Sequence, residues 1–336
     1  MQSDHTSPVQ TEQSLRHLFQ NALVQGILQS RFADVGHSGQ PQWLASDLPV
    51  KRIQKTVPGG IFQVSEQKRV QYVSAIAHRL AAIVNHSPKA IAQELANSMQ
   101  TVSVHTPYEW IGASEFPLWL HSRVEATETG WIFFSLSDTG LALWLDFQCR
   151  VRCGAIYPSY NSDGRAEGCG SLKLSNQLAA VAASSDALDG QKESRHWQDL
   201  IWQAQYVHAR CCAVARLAAE VGILSQQPQW LSSSSLRGNT ELDLLLIGSL
   251  IDAWDHRIAG DTKSASPKKK HRRLEQQLLS LSQQTLIFYT ANSLFGDMLR
   301  HEPELAIARL NLLQLARFGL QHLLEQECRA IAPEFL

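Results

Sequence analysis

Residues 197–223 read WQDLIWQAQYVHARCCAVARLAAEVGI, and the interpretation of the whole chain starts from this stretch. Its apolar side chains recur at alternating steps of three and four, the spacing of one buried stripe on a long amphipathic helix. The stripe consists of Ala204, Val207, Cys211, Val214, Ala218 and Val221. A second face, about 100° further round, carries Trp202, Gln203, Tyr206 and Arg210. The stretch therefore predicts a helix that packs on a bundle and also presents aromatic and arginine side chains for recognition.

Composition is that of an ordinary globular protein. The chain has 336 residues, 44% of them hydrophobic, which is enough for two or three domains with a sizeable core. No apolar run approaches the ~20 residues of a membrane span, and the N-terminus lacks a signal-peptide pattern. The six cysteines, two of them adjacent at Cys211 and Cys212, do not resemble a disulfide framework. We therefore expect a cytoplasmic protein that does not associate with membranes.

Charge is balanced along the chain, with a net value of −1. A general nucleic-acid binder usually carries a basic excess over its whole domain, so we expect no DNA partner. Cations cluster only within residues 261–273, which we predict to be a loop. The cluster comprises Lys263, Lys268, Lys269, Lys270, Arg272 and Arg273. It can contact RNA phosphates, or it can be a solvated loop without a ligand.

The first 147 residues predict an α+β domain in the order helix, helix, hairpin, helix. Helical spacing runs from Leu15 to Leu28 and again from Val70 to Val84. Ser87-Pro88 is typical of a capped helix start. The runs SRVEAT and WIFFSLS flank Glu128-Thr129-Gly130 and predict a β-hairpin, after which Ser137-Asp138 can cap another helix.

The remaining residues predict a connection and a helical bundle. Residues 148–196 contain a strand-like part, Cys149 to Tyr160, followed by a glycine-containing loop and a polar linker. Residues 197–336 predict an all-α bundle, with a helix from Leu242 to Ile258 and a last helix of about 20 residues. The fold class is therefore α+β overall.

The C-terminal bundle resembles a known family. Tyr206-Val207-His208-Ala209-Arg210-Cys211 is similar to the segment that opens the DALR anticodon-binding domain of arginyl-tRNA synthetases. The resemblance continues in order through Phe288-Tyr289, Ala308-Arg309-Leu310, Gly319-Leu320 and Pro333-Glu334. It implies that residues 197–336 are a DALR-type bundle.

The first 147 residues resemble the N-terminal additional domain of the same family. The matching segments are Ala77-His78-Arg79-Leu80-Ala81, residues 87–92 and Gly130-Trp131-Ile132-Phe133-Phe134. The family's hairpin touches the D-loop of tRNA and has an asparagine where Phe133 stands. The catalytic Rossmann core that separates the two regions in a synthetase does not fit into residues 148–196, and its signature motifs are absent from the sequence.

The resemblance implies a set of tRNA-binding residues. Trp202, Tyr206 and Arg210 would stack on and hydrogen-bond splayed anticodon bases. The family also places Tyr289 and the C-terminal Leu336 near the anticodon, and Trp131 and Phe133 on the hairpin. The structural alternatives are that Trp202 packs under a loop and that Tyr289 fills the core. We expect His208 to be a buried, hydrogen-bonded structural histidine and not a functional residue.

No catalytic site is expected in this chain. Paired carboxylates, a nucleophile elbow and a phosphate-binding glycine loop are all missing from the sequence. The spacing of Cys149, Cys153 and Cys169 does not fit a zinc site, so we expect neither a metal nor a cofactor.

Three functional hypotheses follow. The first is a tRNA-binding protein related to arginine–tRNA ligase, accessory to the recognition or aminoacylation of arginine tRNA and without chemistry of its own. The second is a protein–protein interaction module that has lost RNA binding, for which the nine tryptophans offer contact residues. The third is one part of a split arginine–tRNA ligase with its catalytic subunit in trans, so enzymatic activity stays open.

Overall fold

A computed structural model of the chain describes residues 14–30, 50–52, 70–105, 122–153, 189–223, 241–258 and 266–335. The predictions for Lys263, Cys169 and Leu336, and for residues 154–188, lie outside these ranges. The described part is mostly helical with one small antiparallel sheet, which agrees with the α+β class. No helix in it is long and apolar enough to cross a membrane.

The N-terminal half combines helices with a four-stranded sheet of order β1-β2-β4-β3, in which all three pairings are antiparallel. Its elements, in order, are α1 (Leu15–Gln29), β1 (Val50–Arg52), β2 (Gln71–Ser74), α2 (Ile76–Val84), α3 (Pro88–His105), β3 (Ser122–Ala126), β4 (Ile132–Leu136) and α4 (Asp138–Cys153).

The inner face of this sheet packs on α1. Alternate residues of the strands point inward, so Tyr72 of β2 and Phe134 of β4 are fully buried. Phe19 of α1 packs between them, with ring centroids 5.0 Å from Tyr72 and 4.9 Å from Phe134. This aromatic cluster fixes α1 on the sheet.

The predicted hairpin is confirmed, and its turn is held against a helix. Gly130 has a positive φ of 85°, and a Cβ at this position would lie 2.6 Å from the Cβ of Pro88. The hairpin and the start of α3 therefore approach more closely than any residue with a side chain permits. An ion pair between Lys89 and Glu128 spans the same contact. The predicted cap is also present, since Ser87 Oγ accepts a hydrogen bond from the N–H of Ala90 at 3.2 Å.

The C-terminal half is a bundle of long helices. Its elements are α5 (Asp189–Glu220), α6 (Glu241–Ile258), α7 (Pro267–Ala291), the short α8 (Asp297–His301), α9 (Pro303–His322) and a π-helical turn, Leu323–Glu327. The predicted helix at 197–223 is confirmed up to Glu220, and the helix at 242–258 and the 20-residue last helix are also confirmed. α9 is the central helix, because its residues from Ala306 to Ala316 are nearly all buried.

A buried ion pair joins α9 to α6. Both Nε and Nη2 of Arg309 lie 3.3 Å from the carboxylate of Asp243, and the two side chains are 5% and 0% exposed. The arginine of the Ala308-Arg309-Leu310 segment is therefore a structural residue that connects two helices in the interior of the bundle.

Polar and aromatic contacts join the two halves, and they centre on α6. Asp255 accepts hydrogen bonds from the Tyr72 hydroxyl at 2.6 Å and from the backbone N–H of Arg16 at 3.1 Å. Trp254 packs on Trp144 of α4, with ring centroids 5.4 Å apart. We name the contacts of Asp255 the Asp255 junction.

Arg52 makes a second polar connection to α6. Its guanidinium forms a 2.7 Å ion pair with Asp252 and donates to the carbonyl of Gly248. A Cβ at Gly248 would lie 2.8 Å from Arg52 Nη2. The missing side chain of Gly248 therefore leaves room for the arginine against the helix backbone.

The predicted helix from Val70 to Val84 is wrong in its first part, because residues 71–74 form β2. This strand lies between β1 and β4 and is hydrogen-bonded on both sides. Pairing in the sheet thus overrides the helical spacing of the sequence. The predicted order of helix, helix, hairpin and helix therefore omits two strands, β1 and β2.

The strand predicted from Cys149 to Tyr160 is wrong for residues 149–153, which continue α4. Leu145 and Cys149 are four positions apart and both buried, so the apolar face of the helix extends into this segment. At the other end of the connection, α5 begins at Asp189 and not at Trp197. The division into two domains stays a prediction.

The loop predicted for residues 261–273 is wrong from Pro267 onward, where α7 begins. Ser266 is the N-cap and accepts a hydrogen bond from the N–H of Lys269, and Pro267 occupies the first turn. Serine followed by proline is a helix-start signal that the run of charges obscured.

Val221 was expected in the buried stripe of α5, but it is 53% exposed. The helix ends at Glu220, and Gly222 follows with a φ of 73°. Val221 therefore lies beyond the helix that would have placed it on the stripe.

The Asp255 junction predicts a pH-dependent stability. Burial raises the pKa of Asp255 to about 6, although the hydrogen bonds from Tyr72 and Arg16 oppose the rise. A raised pKa in the folded state gives stability at low pH that is lost as the pH increases from about 4 to about 6. The free energy of unfolding of the native chain should therefore fall relative to Asp255→Asn by up to about 3 kcal/mol between pH 4 and pH 7. Denaturant unfolding at both pH values measures this difference, and parallel pH profiles would contradict it.

The Arg309 ion pair predicts a large effect from a single truncation. Arg309→Met leaves the carboxylate of Asp243 buried without its cation, which should lower the free energy of unfolding by about 3–5 kcal/mol. The double variant Arg309→Met with Asp243→Leu should recover much of this loss, since both charges are then removed. Urea unfolding of the three proteins tests the pairing, and equal stability of the native chain and Arg309→Met would refute it.

Candidate nucleic-acid interface

Helix α5 has three distinct faces, and the candidate interface lies on one of them. The core face carries Ala204, Val207, Cys211, Val214 and Ala218, all of which are buried as predicted. A second face contacts the C-terminal segment of the chain. The third face carries the aromatic and arginine side chains predicted to recognise RNA.

Four side chains of the third face and of α7 form a continuous row. The rings of Trp202 and Tyr206 are stacked, with centroids 5.9 Å apart and an angle of 17° between planes. The guanidinium carbon of Arg210 lies 5.9 Å from the Tyr206 centroid and 5.5 Å from the Tyr289 centroid. We name Trp202, Tyr206, Arg210 and Tyr289 the stacking row. The structure thus brings together four of the residues predicted from sequence.

The stacking row is accessible to a ligand. Trp202 is 63% exposed and does not pack under a loop within the described residues, and Arg210 is also exposed. Tyr206 and Tyr289 are half-buried, whereas the neighbouring Phe288 is completely buried. Of the pair Phe288-Tyr289, the phenylalanine fills the core and the tyrosine reaches the row.

A cleft of about 490 Å³ opens beside Arg210 and Tyr289. Its walls come from α5, from the end of α7 and from the turn that follows α7. The lining residues beyond the row include Ala213, Leu217, Thr290, Asn292, Ser293 and Phe295. Apolar walls with a few hydroxyl and amide groups can hold a flat heterocycle.

The basic residues lie at the opposite end of the same two helices. His196 Nε2 is 2.8 Å from Glu275 Oε1, while Arg210 lies over Tyr289. The contact between Arg210 and Tyr289 lies 14 positions further along both helices than the contact between His196 and Glu275, so α5 and α7 run parallel. Fourteen helical positions correspond to about 21 Å between the two contacts. The basic residues of α7 lie further away, 16 to 21 positions or about 24–32 Å before Tyr289.

Helical spacing separates the basic residues around α7. His271, whose ring packs 4.5 Å from that of Trp197, marks the side of α7 that contacts α5. Lys268 falls about 60° and Arg272 about 100° round the helix from His271, both in the direction of Glu275. Lys269 and Arg273 fall about 100° beyond these two, on the far side, and Lys270 falls about 100° from His271 in the opposite direction. Lys268, Lys269, Lys270 and Arg272 are exposed and Arg273 is half-buried. Among the described cations of this cluster, Lys268 and Arg272 therefore lie on the same side of His271 as Glu275, which also contacts α5.

Trp131 and Phe133 belong to the sheet of the N-terminal half, on its outer face. Both side chains are half-buried, in contrast to the buried inward residues Ile132 and Phe134. The Trp131 ring packs edge-on against His78 of α2, with centroids 5.4 Å apart. They form a separate surface from the stacking row.

The second face of α5 binds the C-terminal segment, which sequence reasoning missed. Gln205 donates to the carbonyl of Ile331 at 2.8 Å, and Arg216 donates to the carbonyl of Glu334 at 3.2 Å. The Arg216 guanidinium also lies 4.1 Å from the Phe335 ring centroid. The bonded groups of the segment are backbone carbonyls, so its side-chain pattern carried no signal of the contact. The only indication of this contact in the sequence was the helical spacing of the polar residues Gln205 and Arg216 on α5.

His208 is a buried structural histidine, as expected. Its Nδ1 lies 2.8 Å from the carbonyl oxygen of Pro333, and since a carbonyl only accepts, Nδ1 carries the proton. Burial lowers the pKa of His208, although the bond to Pro333 opposes this. A neutral imidazole that holds the C-terminal segment does not take part in the row.

Within the described ranges, His, Cys, Asp and Glu side chains form no group of three or more that could hold a metal. Cys149 is buried on α4.

The chain shares sequence with a known protein. The chain is 31% identical over 124 residues to an arginine–tRNA ligase of Moorella thermoacetica, a match that covers 37% of this chain and 20% of the relative. The match therefore spans about a fifth of the length of this relative, and it supports a relationship to the arginine–tRNA ligase family. No family model and no solved structure matches the chain.

Proposed function

We propose that this protein binds tRNA, with arginine tRNA as the favoured partner, through the stacking row on α5 and α7. The observation that carries the proposal is the geometry of Trp202, Tyr206, Arg210 and Tyr289, four exposed or half-buried groups arranged with their faces in series. The relationship to arginine–tRNA ligase favours tRNA as the RNA ligand. In this proposal the C-terminal half is a DALR-type bundle, and the protein acts in the cytoplasm.

Stacking would supply most of the affinity. Unpaired bases stack on aromatic rings with a contribution of about 1–3 kcal/mol each, and two ring faces in series suit neighbouring bases of a loop. Arg210 is held between two tyrosine rings, so little side-chain freedom remains to be lost on binding. Since Arg210 is exposed, its N–H groups are available to a phosphate or a base edge.

Electrostatics would contribute locally. The chain has a net charge of −1, so attraction to RNA has to come from a patch and not from the whole molecule. Lys268 and Arg272 lie 21 and 17 positions before Tyr289 on α7, about 32 and 26 Å from the Arg210 end of the row, a distance that several nucleotides of single strand can span. The proposed path runs from these cations along α5 to the cleft beside Tyr289.

The protein is proposed to recognise RNA without catalysing aminoacylation. The relative is a ligase, yet this chain matches only a fifth of its length. A role as accessory subunit and a role as one part of a split ligase differ in whether a catalytic partner restores arginine charging. Charging assays with co-purifying chains distinguish the two.

Removal of the central pair of the row should weaken tRNA binding. We expect Tyr206→Ala with Arg210→Ala to raise the Kd for total tRNA by tenfold or more, since one stacked base and one arginine contact are lost. Filter binding at low salt measures the change. Arg300→Ala removes an arginine from an exposed helix elsewhere and should leave the Kd unchanged.

If the double variant binds tRNA as tightly as the native chain, the row is not the RNA site. If the native chain fails to bind tRNA at low salt and a stable protein partner contacts Trp202, the interaction-module hypothesis is correct. The 63% exposure of the tryptophan is the observation that favours this second function.

The arrangement around α7 predicts which cations contact RNA. Each phosphate contact on a single strand contributes about 0.7 to the slope of log K against log salt. Lys268→Ala with Arg272→Ala should therefore reduce the slope by about 1.4. The matched variant, Lys269→Ala with Arg273→Ala, removes the same charge from the other side of the helix and should leave the slope nearly unchanged. Equal slopes for the two variants would show that the side of α7 does not matter.

A further inference from the structure

The C-terminal segment, residues 329–335, leaves the bundle through a turn with an unfavourable backbone conformation. α9 is followed by the π-helical turn Leu323–Glu327, and the N–H of Ala330 then donates to the carbonyl of Leu324 at 2.7 Å. Arg329 has a φ of 54°, the left-handed region in which a helix end of this kind usually has glycine. A side chain in this conformation carries a cost, which is released when the turn becomes extended.

The C-terminal segment is held on the second face of α5 mainly through its backbone. Three of its carbonyl groups accept hydrogen bonds from side chains of the helix. The bonded pairs are Ile331 with Gln205, Pro333 with His208 and Glu334 with Arg216. Both sets of positions increase together, so the segment runs along α5 in the direction of the helix. Contacts of this kind depend on the path of the segment and not on which copy of the chain supplies it.

The bound segment leaves apolar side chains in contact with solvent. Ile331 and Phe335 are exposed, although the Arg216 guanidinium lies over the Phe335 ring. Leu217 and Val221, at the same end of α5 as Arg216, are exposed as well. Together these are four of the nine large hydrophobic side chains that are exposed in the described part of the chain. Binding of the segment to its own helix therefore does not bury this apolar surface.

We propose that two copies of this chain form a dimer by exchanging their C-terminal segments, each segment lying on the second face of α5 of the other copy. A second copy fits this face, because it carries the same residues 331–335 that already bond to it within one chain. Reciprocal exchange keeps all of these hydrogen bonds, so its main cost is that of bringing two copies together.

Two contributions favour the exchanged dimer over the closed monomer. Extension of the turn releases the left-handed conformation of Arg329 in both copies. Contact between the copies along α5 also removes exposed apolar side chains from water. The opposing effect is the high effective concentration of a chain's own segment, which favours the monomer in dilute solution. The dimer should therefore form as the protein concentration rises.

Light scattering of the intact chain over a concentration series tests this exchange at Arg329. The native chain should show a monomer–dimer equilibrium. Arg329→Gly accepts the left-handed conformation and should raise the dimer Kd about tenfold, whereas the branched side chain of Arg329→Val resists it and should lower the Kd. Both substitutions remove the same charge, so each is the control for the other. A chain that stays monomeric even as Arg329→Val overturns the inference, as do equal Kd values for the two variants.

A mixture of two altered chains tests whether the segment itself passes between copies. One chain ends after Cys328 and keeps the second face of α5. The other keeps the segment and carries Gln205→Ala with Arg216→Ala, which weaken the face that would bind it. Native mass spectrometry should detect more of the mixed dimer, identified by its mass, than of either chain paired with itself.

Self-association of the shortened chain as strong as that of the native chain would place the dimer contact on another surface and overturn the inference. Absence of the mixed dimer overturns it as well, provided that circular dichroism shows both chains to be folded. If the shortened chain does not fold, the opposite shifts expected for the two Arg329 variants decide. None of these measurements involves RNA, so their outcome is independent of the proposed function.

Discussion

The buried carboxylate of Asp255 is the contact on which the relation of the two halves depends. It belongs to α6 of the helical bundle, yet both of its hydrogen-bond donors, the Tyr72 hydroxyl and the Arg16 N–H, come from the N-terminal half. Burial raises the pKa of Asp255, and the same burial, with the carboxylate as partner, raises the pKa of Tyr72 well above its usual value. A polar cluster so costly to bury persists only because the sheet, α1 and α6 position it together. The halves accordingly share one continuous hydrophobic core.

This arrangement places the candidate RNA surface on a bundle that packs against the N-terminal half. The stacking row uses the long parallel helices α5 and α7. α5 serves three purposes at once, since its core face packs on the bundle, its second face holds the C-terminal segment and its third face carries the row. The role of an α5 residue therefore depends on the face on which it lies. His208 holds the C-terminal segment, whereas Arg210 belongs to the stacking row.

Most of the helices were predictable because their apolar spacing and caps are local. Ser87-Pro88 and the buried stripe of α5 are examples in which neighbouring residues contain the whole signal. β2 was missed because its partners, β1 and β4, lie far along the sequence and nothing local indicates the pairing. The start of α7 was missed because a run of cations was given more weight than the Ser266 cap.

The site was predictable to a similar extent. Four aromatic and arginine residues were chosen from helical spacing and resemblance, and the structure brings them into one row. The split of the basic cluster around α7 depends on the register of that helix against α5, which the sequence did not reveal.

The central claim is that unpaired bases of a tRNA are held by stacking on a nearly neutral protein. Chemical probing of arginine tRNA with and without the intact chain tests it most directly. The account predicts protection of unpaired nucleotides in the loops, with the paired stems changing little. Protection confined to the stems, or an unchanged probing pattern at saturating protein, would contradict it.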